Sequence, residues 1–236
     1  MQSVLGVFGG TFDPIHCGHL ELARELLETL ALSAIRFVPA GDPPHRSAPA
    51  ASAAQRLAMV ELAVASHPGL EVDAREIQRT GRSYTVTTLE ELRSEDRKRA
   101  LALIVGADAF LGLPTWHRWR EIFELAHLVV VARPGVAIDE RMTPELAREW
   151  TRRHCGDATD LSVKIAGAII EARITAHPIS ASAIREALSR RGRTNAAGSR
   201  TNAAGSGSDA VRGLLPAAVL AYIERNHLYL PPQDAT

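Results

Sequence analysis

Apolar residues recur along the chain in two rhythms. Short, predominantly apolar runs at Ser3–Phe8, Ile35–Val38, Leu70–Val72, Leu101–Val105 and Leu128–Ala132 predict strands, and those without an interrupting charge, such as Leu101–Val105 and Leu128–Ala132, predict coverage on both faces, because a half-exposed strand would alternate with polar residues. Between these runs the spacing changes to three and four. Leu20, Ala23, Leu26, Leu27 and Leu30 place one buried stripe on a helix within Gly18–Leu32. Ser52 can cap a second helix reaching about Ser66, a third spans about Thr85–Glu95, and Ala217–Asn226 after Pro216 forms the last. Strands alternating with helices predict an α/β fold: a Rossmann-like, doubly wound, mostly parallel sheet with helices on both faces. Such sheets bind ligands beyond the carboxyl ends of their strands, and Gly9-Gly10, Gly106 and Arg133 each follow a predicted strand.

One stretch breaks the alternation. The seven residues Arg193–Ser199 are repeated at Arg200–Ser206 and followed by Gly207-Ser208-Asp209. A small, polar, glycine-rich segment buries too little apolar surface to offset its ordering entropy. Residues 193–209 are therefore expected to form a flexible insertion before the last helix of an otherwise single domain, 1–236. The composition, 46% hydrophobic and 23% charged, excludes collagen-like, coiled-coil and wholly disordered architectures. With zero formal charge, nothing favours nucleic-acid binding by bulk electrostatics, so an anion site must be local. Lys98 and Lys164 are the only lysines among 27 basic residues, and neither stands in a glycine loop or at an apolar strand end. That argues against a lysine-dependent P-loop or Schiff base. Cys17 and Cys155 form no C-x-x-C pair, which argues against a disulfide framework or a cysteine zinc site. The apolar start is too short for a signal peptide or a membrane span, so the expected location is cytoplasmic, with no membrane partner. Oligomeric state is open, a homo-oligomer included.

Gly9-Gly10-Thr11-Phe12-Asp13-Pro14-Ile15-His16-Cys17-Gly18-His19 carries the most chemistry. Glycines after a strand let backbone approach a ligand, and the helix start beyond them offers free N–H groups and a positive dipole end to a phosphate. His16 and His19, three residues apart, can reach one phosphate from the same face. No third His, Asp or Glu stands beside them at ligand spacing, so no metal residue is assigned.

This segment resembles the G-x-F-D-P-x-H-x-G-H signature of the H-x-G-H nucleotidyltransferases. Pro43-Pro44-His45-Arg46, Gly81-Arg82-Ser83-Tyr84-Thr85, Gly106-Ala107-Asp108, Trp116, Arg133-Pro134-Gly135, Ile179–Arg185, Leu214-Leu215-Pro216 and Leu228-Tyr229 follow in the order of one branch. That branch is the bacterial nicotinate-nucleotide adenylyltransferases. The resemblance implies transfer of the adenylyl group of ATP to nicotinate mononucleotide, with Mg²⁺ accompanying the ATP. It implies His16, His19 and Arg185 as catalytic residues. By the same resemblance Gly9, Gly10, Thr11, Phe12, His16, His19, Gly106, Asp108, Ile179, Ser180, Ser182 and Arg185 bind ATP. Asp13, His45, Arg46, Tyr84, Thr85, Trp116 and Arg133 bind the mononucleotide.

Simpler roles stand beside these. Ser180 or Ser182 can cap a helix, Asp108 can cap a short helix from Ala109, Tyr84 and Thr85 can serve the same purpose, and Trp119 fits a core. Arg185, on the first turn of its helix, opposes the dipole and therefore suits a bound triphosphate. The chain departs from the family pattern at Thr87, where relatives commonly carry Asp. Cys17, between the histidines, would make the site oxidation-sensitive if exposed. Competing readings are adenylyl transfer to nicotinamide mononucleotide, phosphopantetheine or FMN, and a catalytically silent nucleotide-binding regulator. A tRNA synthetase is excluded by length.

Overall fold

The computed structural model describes residues 3–42, 48–132, 138–175, 179–196 and 211–231. His45, Arg46 and Arg133 lie outside these residues, as does the repeat beyond Ala196. The strands are β1 (Val4–Gly10), β2 (Ala34–Pro39), β3 (Leu70–Val72), β4 (Ala100–Gly106), β5 (His127–Ala132) and β6 (Ile169–Arg173). The helices are α1 (Cys17–Thr29), α2 (Ala53–Val64), α3 (Arg75–Gln78), α4 (Thr85–Glu95), α5 (Ala107–Leu111), α6 (Ile122–Leu125), α7 (Pro144–Arg153), α8 (Asp160–Val163), α9 (Ala181–Ala196) and α10 (Ala217–Arg225).

The sheet runs β3-β2-β1-β4-β5-β6 and every neighbouring pair is parallel. This is an open doubly wound sheet, and its chain order reverses between β1 and β4. Alternate residues of each strand enter opposite cores. Ile35, Phe37, Ala102 and Ile104 pack with α1, α2, α9 and α10 on one face. Ala34, Val38, Leu101, Leu103 and Val105 pack with α4, α5 and α6 on the other. Double coverage explains why the strands read as predominantly apolar runs.

Two elements were not visible in the periodicity. β6 is an edge strand whose Glu171 is half exposed and whose Arg173 is exposed, so charges interrupt its apolar run. α7 buries only Leu146 among its residues, although Thr143 caps it by accepting from the Leu146 N–H at 3.3 Å and Pro144 sits in its first turn. Ser52 caps α2 as expected, with Ser52 Oγ accepting from Gln55 N–H at 3.3 Å and Gln55 Oε1 accepting from Ser52 N–H at 2.9 Å. α9 continues through Ala196, four residues into the repeat. Among the described residues, no helix is long and apolar enough to cross a membrane.

Candidate active site

The reversal of chain order brings the carboxyl ends of β1 and β4 side by side, and a cleft of about 1350 Å³ opens there. One drug-sized ligand occupies roughly 300–1,000 Å³, so this cleft has room for two substrates. Gly9 and Gly106 line it, and a Cβ on either would meet nothing within 4 Å. Their backbones face open space that a ligand can approach closely.

After β1 the chain turns sharply. Phe12 takes a φ of 51°, a left-handed conformation that bulky residues rarely adopt. Its ring, expected against ATP, is 4% exposed and meets the His19 ring nearly edge-on, with centroids 5.2 Å apart. Phe12 thus orients His19. His16 stands at the N-cap position of α1 and stacks on His19 with centroids 3.7 Å apart. The His16 backbone N–H donates to His19 Nδ1 at 3.2 Å, so a neutral His19 carries its proton on Nε2. Burial lowers the His16 pKa to about 4, and burial together with neighbouring His16 lowers that of His19 to about 3. Both rings are therefore neutral near pH 7 and contribute N–H dipoles, not charge. A Cβ at Gly18 would stand 3.3 Å from His16 Nδ1 and 3.4 Å from Ile179 Cβ. The tight approach of α1 to the segment before α9 thus explains glycine between the histidines. Burial and nearby Glu21 raise the Cys17 pKa, which keeps the thiol protonated and counters the oxidation sensitivity expected of an exposed cysteine.

The positive charge at this end comes from α9. Ser180 occupies the position before the helix and its carbonyl accepts the Ile184 N–H at 3.0 Å. Ile184 and Leu188 are buried, each contributing about 1.5–3 kcal/mol, and they fix the helix face on which Arg185 stands. Arg185 Nη1 donates to the Asp13 main-chain carbonyl at 2.7 Å, and Nη2 to Ser182 Oγ at 3.4 Å. This guanidinium, which has no carboxylate at ion-pair distance among the described residues, therefore bridges the α9 start to the turn after β1.

The other end of the cleft is assembled from α4 and the 115–117 turn. Tyr84 is the residue before α4 and provides no side-chain cap, which leaves the first N–H groups of the helix, beginning at Thr85, without intrahelical partners. Trp116 is half-buried and lines the cleft beside them, and the His117 ring lies against Tyr84 with centroids 4.5 Å apart. Trp119, by contrast, is 6% exposed within the core. Asp108 does not cap a helix from Ala109. α5 begins at Ala107 with Gly106 before it, and the Asp108 side chain projects from the cleft edge, 3.7 Å from Arg141.

A cytidylyltransferase-like family model matches residues 7–187. The "Probable nicotinate-nucleotide adenylyltransferase" of Dechloromonas aromatica (strain RCB) is 45% identical over 97% of this chain and 99% of its own. Its namesake in Acidithiobacillus ferrooxidans (strain ATCC 23270 / DSM 14882 / CIP 104768 / NCIMB 8455) is 43% identical over 97% of this chain and 96% of its own. The chain belongs to the nicotinate-nucleotide adenylyltransferase family. It is accordingly a nucleotidyltransferase. The fold agrees: Plasmodium falciparum nicotinic acid mononucleotide adenylyltransferase, solved with NaAD, superposes with a TM-score of 0.67 at 14% identity, over 96% of this chain and 97% of that one.

In this adenylyltransferase-family chain the cleft also holds residues that motif reading passed over. Glu76 is buried on α3 and accepts from Thr88 Oγ1 at 2.7 Å; burial raises its pKa. Neither Glu76 nor Arg141 has a local sequence signal. Arg56 did have one. With Met59, Val60 and Ala63 it falls on the buried stripe of α2, and a charge at such a position marks a specific internal partner. Asp13, expected to touch the mononucleotide, is 7% exposed and its carboxylate accepts from the N–H groups of Ala50 and Ala51 and from the Tyr229 hydroxyl. Its carboxylate thus carries three bonds within the chain at the wall of the cleft.

Proposed function

We propose that the protein joins ATP and nicotinate mononucleotide, forming nicotinic acid adenine dinucleotide and pyrophosphate, as a step of NAD biosynthesis. The observation that carries this reading is that two neighbouring helix starts line one cleft, α1 with His16 and His19 and α9 with Arg185, while a third, α4, lines its other end. A phosphate oxygen of the mononucleotide attacks the α-phosphorus of ATP in line, and the bond from that phosphorus to the β-phosphate oxygen breaks. Both electron pairs move with oxygen, and pyrophosphate leaves. The nucleophile is already an anion, so no general base is needed. The work left to the protein is alignment and stabilisation of the charge gathering on the phosphates.

In this reading His19 Nε2–H and the first N–H groups of α1 donate to the phosphates, and Arg185, held by the Asp13 carbonyl, turns its remaining N–H groups to the β and γ phosphates. The Thr85 N–H and hydroxyl receive the pyridine carboxylate, and Trp116 stacks on the ring. His45, Arg46 and Arg133 complete the mononucleotide contacts by family resemblance. Asp108 receives the ribose hydroxyls of ATP. Among the described residues no group of three His, Cys, Asp or Glu is placed to hold a metal ion. By the family resemblance Mg²⁺ would enter with the ATP and supply charge neutralisation at its phosphates.

The test is pyrophosphate release from Mg-ATP with four acceptors in parallel: nicotinate mononucleotide, nicotinamide mononucleotide, phosphopantetheine and FMN, with product masses determined. The expected outcome is a clear preference for the nicotinate form. Preference for another acceptor would overturn the assignment of Thr85 and Trp116, and inactivity with all four would overturn the reaction.

A further inference from the structure

The bonds around Asp13 join parts of the chain that the reaction requires to act together. Its main-chain carbonyl holds Arg185, the cation of the ATP end, at 2.7 Å. Its side chain holds Ala50 and Ala51 through their N–H groups at 2.8 and 3.1 Å, at the far end of the segment that follows β2. The near end of that segment is held by Arg56, which is 1% exposed and donates to the carbonyls of Gly41 at 3.2 Å and of Thr11, two residues before Asp13, at 2.8 Å. The Tyr229 hydroxyl, arriving from beyond α10, donates to Asp13 Oδ1 at 2.7 Å.

Tyr229, and the residue next to Asp13, stand in costly backbone. Phe12, beside Asp13, has a φ of 51°, and His227 and Tyr229 have values of 52° and 62°. Non-glycine residues in this region each cost about 1–3 kcal/mol and persist where the surroundings require them. Arg56 is also buried without a carboxylate partner within ion-pair distance among the described residues, and its Nε has no hydrogen-bond partner. A fold optimised only for stability gains little from a buried arginine bonded to two carbonyls.

We infer that Asp13 is a positioning residue which, with Tyr229 and Arg56, fixes Gly41 and Ala50-Ala51 on the acceptor side of the cleft in register with Arg185, so that nucleophile and triphosphate meet in line. The inference rests on the adenylyl-transfer reading above. Tyr229 is the best handle, because Tyr229→Phe removes one hydroxyl and keeps the ring packed against the core.

Steady-state kinetics of the full chain, at a temperature where circular dichroism shows each variant folded, test it. For Tyr229→Phe the expected result is a fall of about 3- to 10-fold in kcat/KM for nicotinate mononucleotide, the scale of one lost hydrogen bond. It should come from a lower kcat and a higher acceptor KM, with the KM for ATP changed by less than about twofold. Asp13→Asn should show the same split, more strongly. Because Tyr229 and Arg185 act through the same residue, the kcat losses of Tyr229→Phe and Arg185→Ala should be less than additive in the double variant. Unchanged kinetics in folded Tyr229→Phe and Asp13→Asn, or fully additive losses, would overturn the inference while leaving the reaction intact. An inactive wild type, assayed alongside, would overturn both.

Discussion

At the end of the cleft proposed for ATP, one continuous segment, Gly9 to His19, supplies the strand end, the turn and the paired imidazoles, joined by Gly106 and Asp108 after β4 and by Arg185 with the start of α9. The end proposed for the mononucleotide has no such segment. It is drawn from the start of α4, the 115–117 turn, α3 and the residues after β2. The contrast follows from the chemistry. Donors to a transferring phosphoryl group need a rigid, closely spaced frame, and a strand running into a helix provides one locally. An acceptor with a ring, a carboxylate and a phosphate is an extended object, and its contacts must come from several elements. Errors of position at the first end should therefore damage kcat, and those at the second mainly KM.

The hardest test of that contrast is His19→Ala. Loss of a donor aimed at the developing charge should lower kcat by about 10²–10³-fold with little change in either KM, measured by pyrophosphate release. Near-normal turnover would remove the imidazole pair from the reaction. Trp116→Ala should behave in the opposite way, raising the acceptor KM by about 3- to 10-fold, the scale of one aromatic stacking interaction, with kcat largely kept. An equal fall in kcat would erase the distinction between the two ends.

Acidification gives the smallest effect on activity and the most direct view of the imidazoles. His16 and His19 are held at about 4 and about 3, so neither titrates near neutrality, and kcat should show no step from them between about pH 6 and about pH 8. Stability carries the corresponding signature. Unfolded histidine titrates near about 6.5, so below that value the unfolded chain binds more protons than the folded one. The stability associated with neutral rings is complete above about 6.5 and is lost as pH falls toward about 4 and about 3. Urea midpoints should be lower at about pH 5 than at about pH 7, and the difference should shrink in His16→Ala, His19→Ala. A pH-independent midpoint difference between this variant and wild type would show that the rings are solvated.

A third buried histidine shows why residue type alone did not assign these roles. His127, in β5, is fully buried with Nε2 bonded to the Lys164 carbonyl at 3.0 Å and Nδ1 accepting the Ala168 N–H at 3.1 Å. Both its nitrogens serve the fold. His16 keeps a buried Nδ1 without a hydrogen-bond partner among the described residues, at the wall of the cleft. Only their surroundings separate a structural imidazole from one available to a ligand.

Local chemistry was legible wherever neighbours in sequence are neighbours in space. The apolar runs of β1, β2, β4 and β5, the stripe Leu20–Leu30, the Ser52 cap and the glycine-to-histidine turn all fall in this class, because strand pairing on two faces, helix periodicity and capping act over a few residues. β6 escaped because Glu171 and Arg173 interrupt its apolar residues Ile169, Ile170 and Ala172. The internal bonds of Asp13 were not legible, because its partners, Ala50, Ala51 and Tyr229, are distant in sequence. The sequence by itself determined the alternating α/β architecture, the glycine-to-histidine turn and the family. The tertiary structure decided which groups in that turn are left without partners at the cleft wall and which bond to distant parts of the chain. Burial sets the protonation of His16 and His19, and long-range hydrogen bonds set the work of Asp13, and both depend on atoms brought close only by packing.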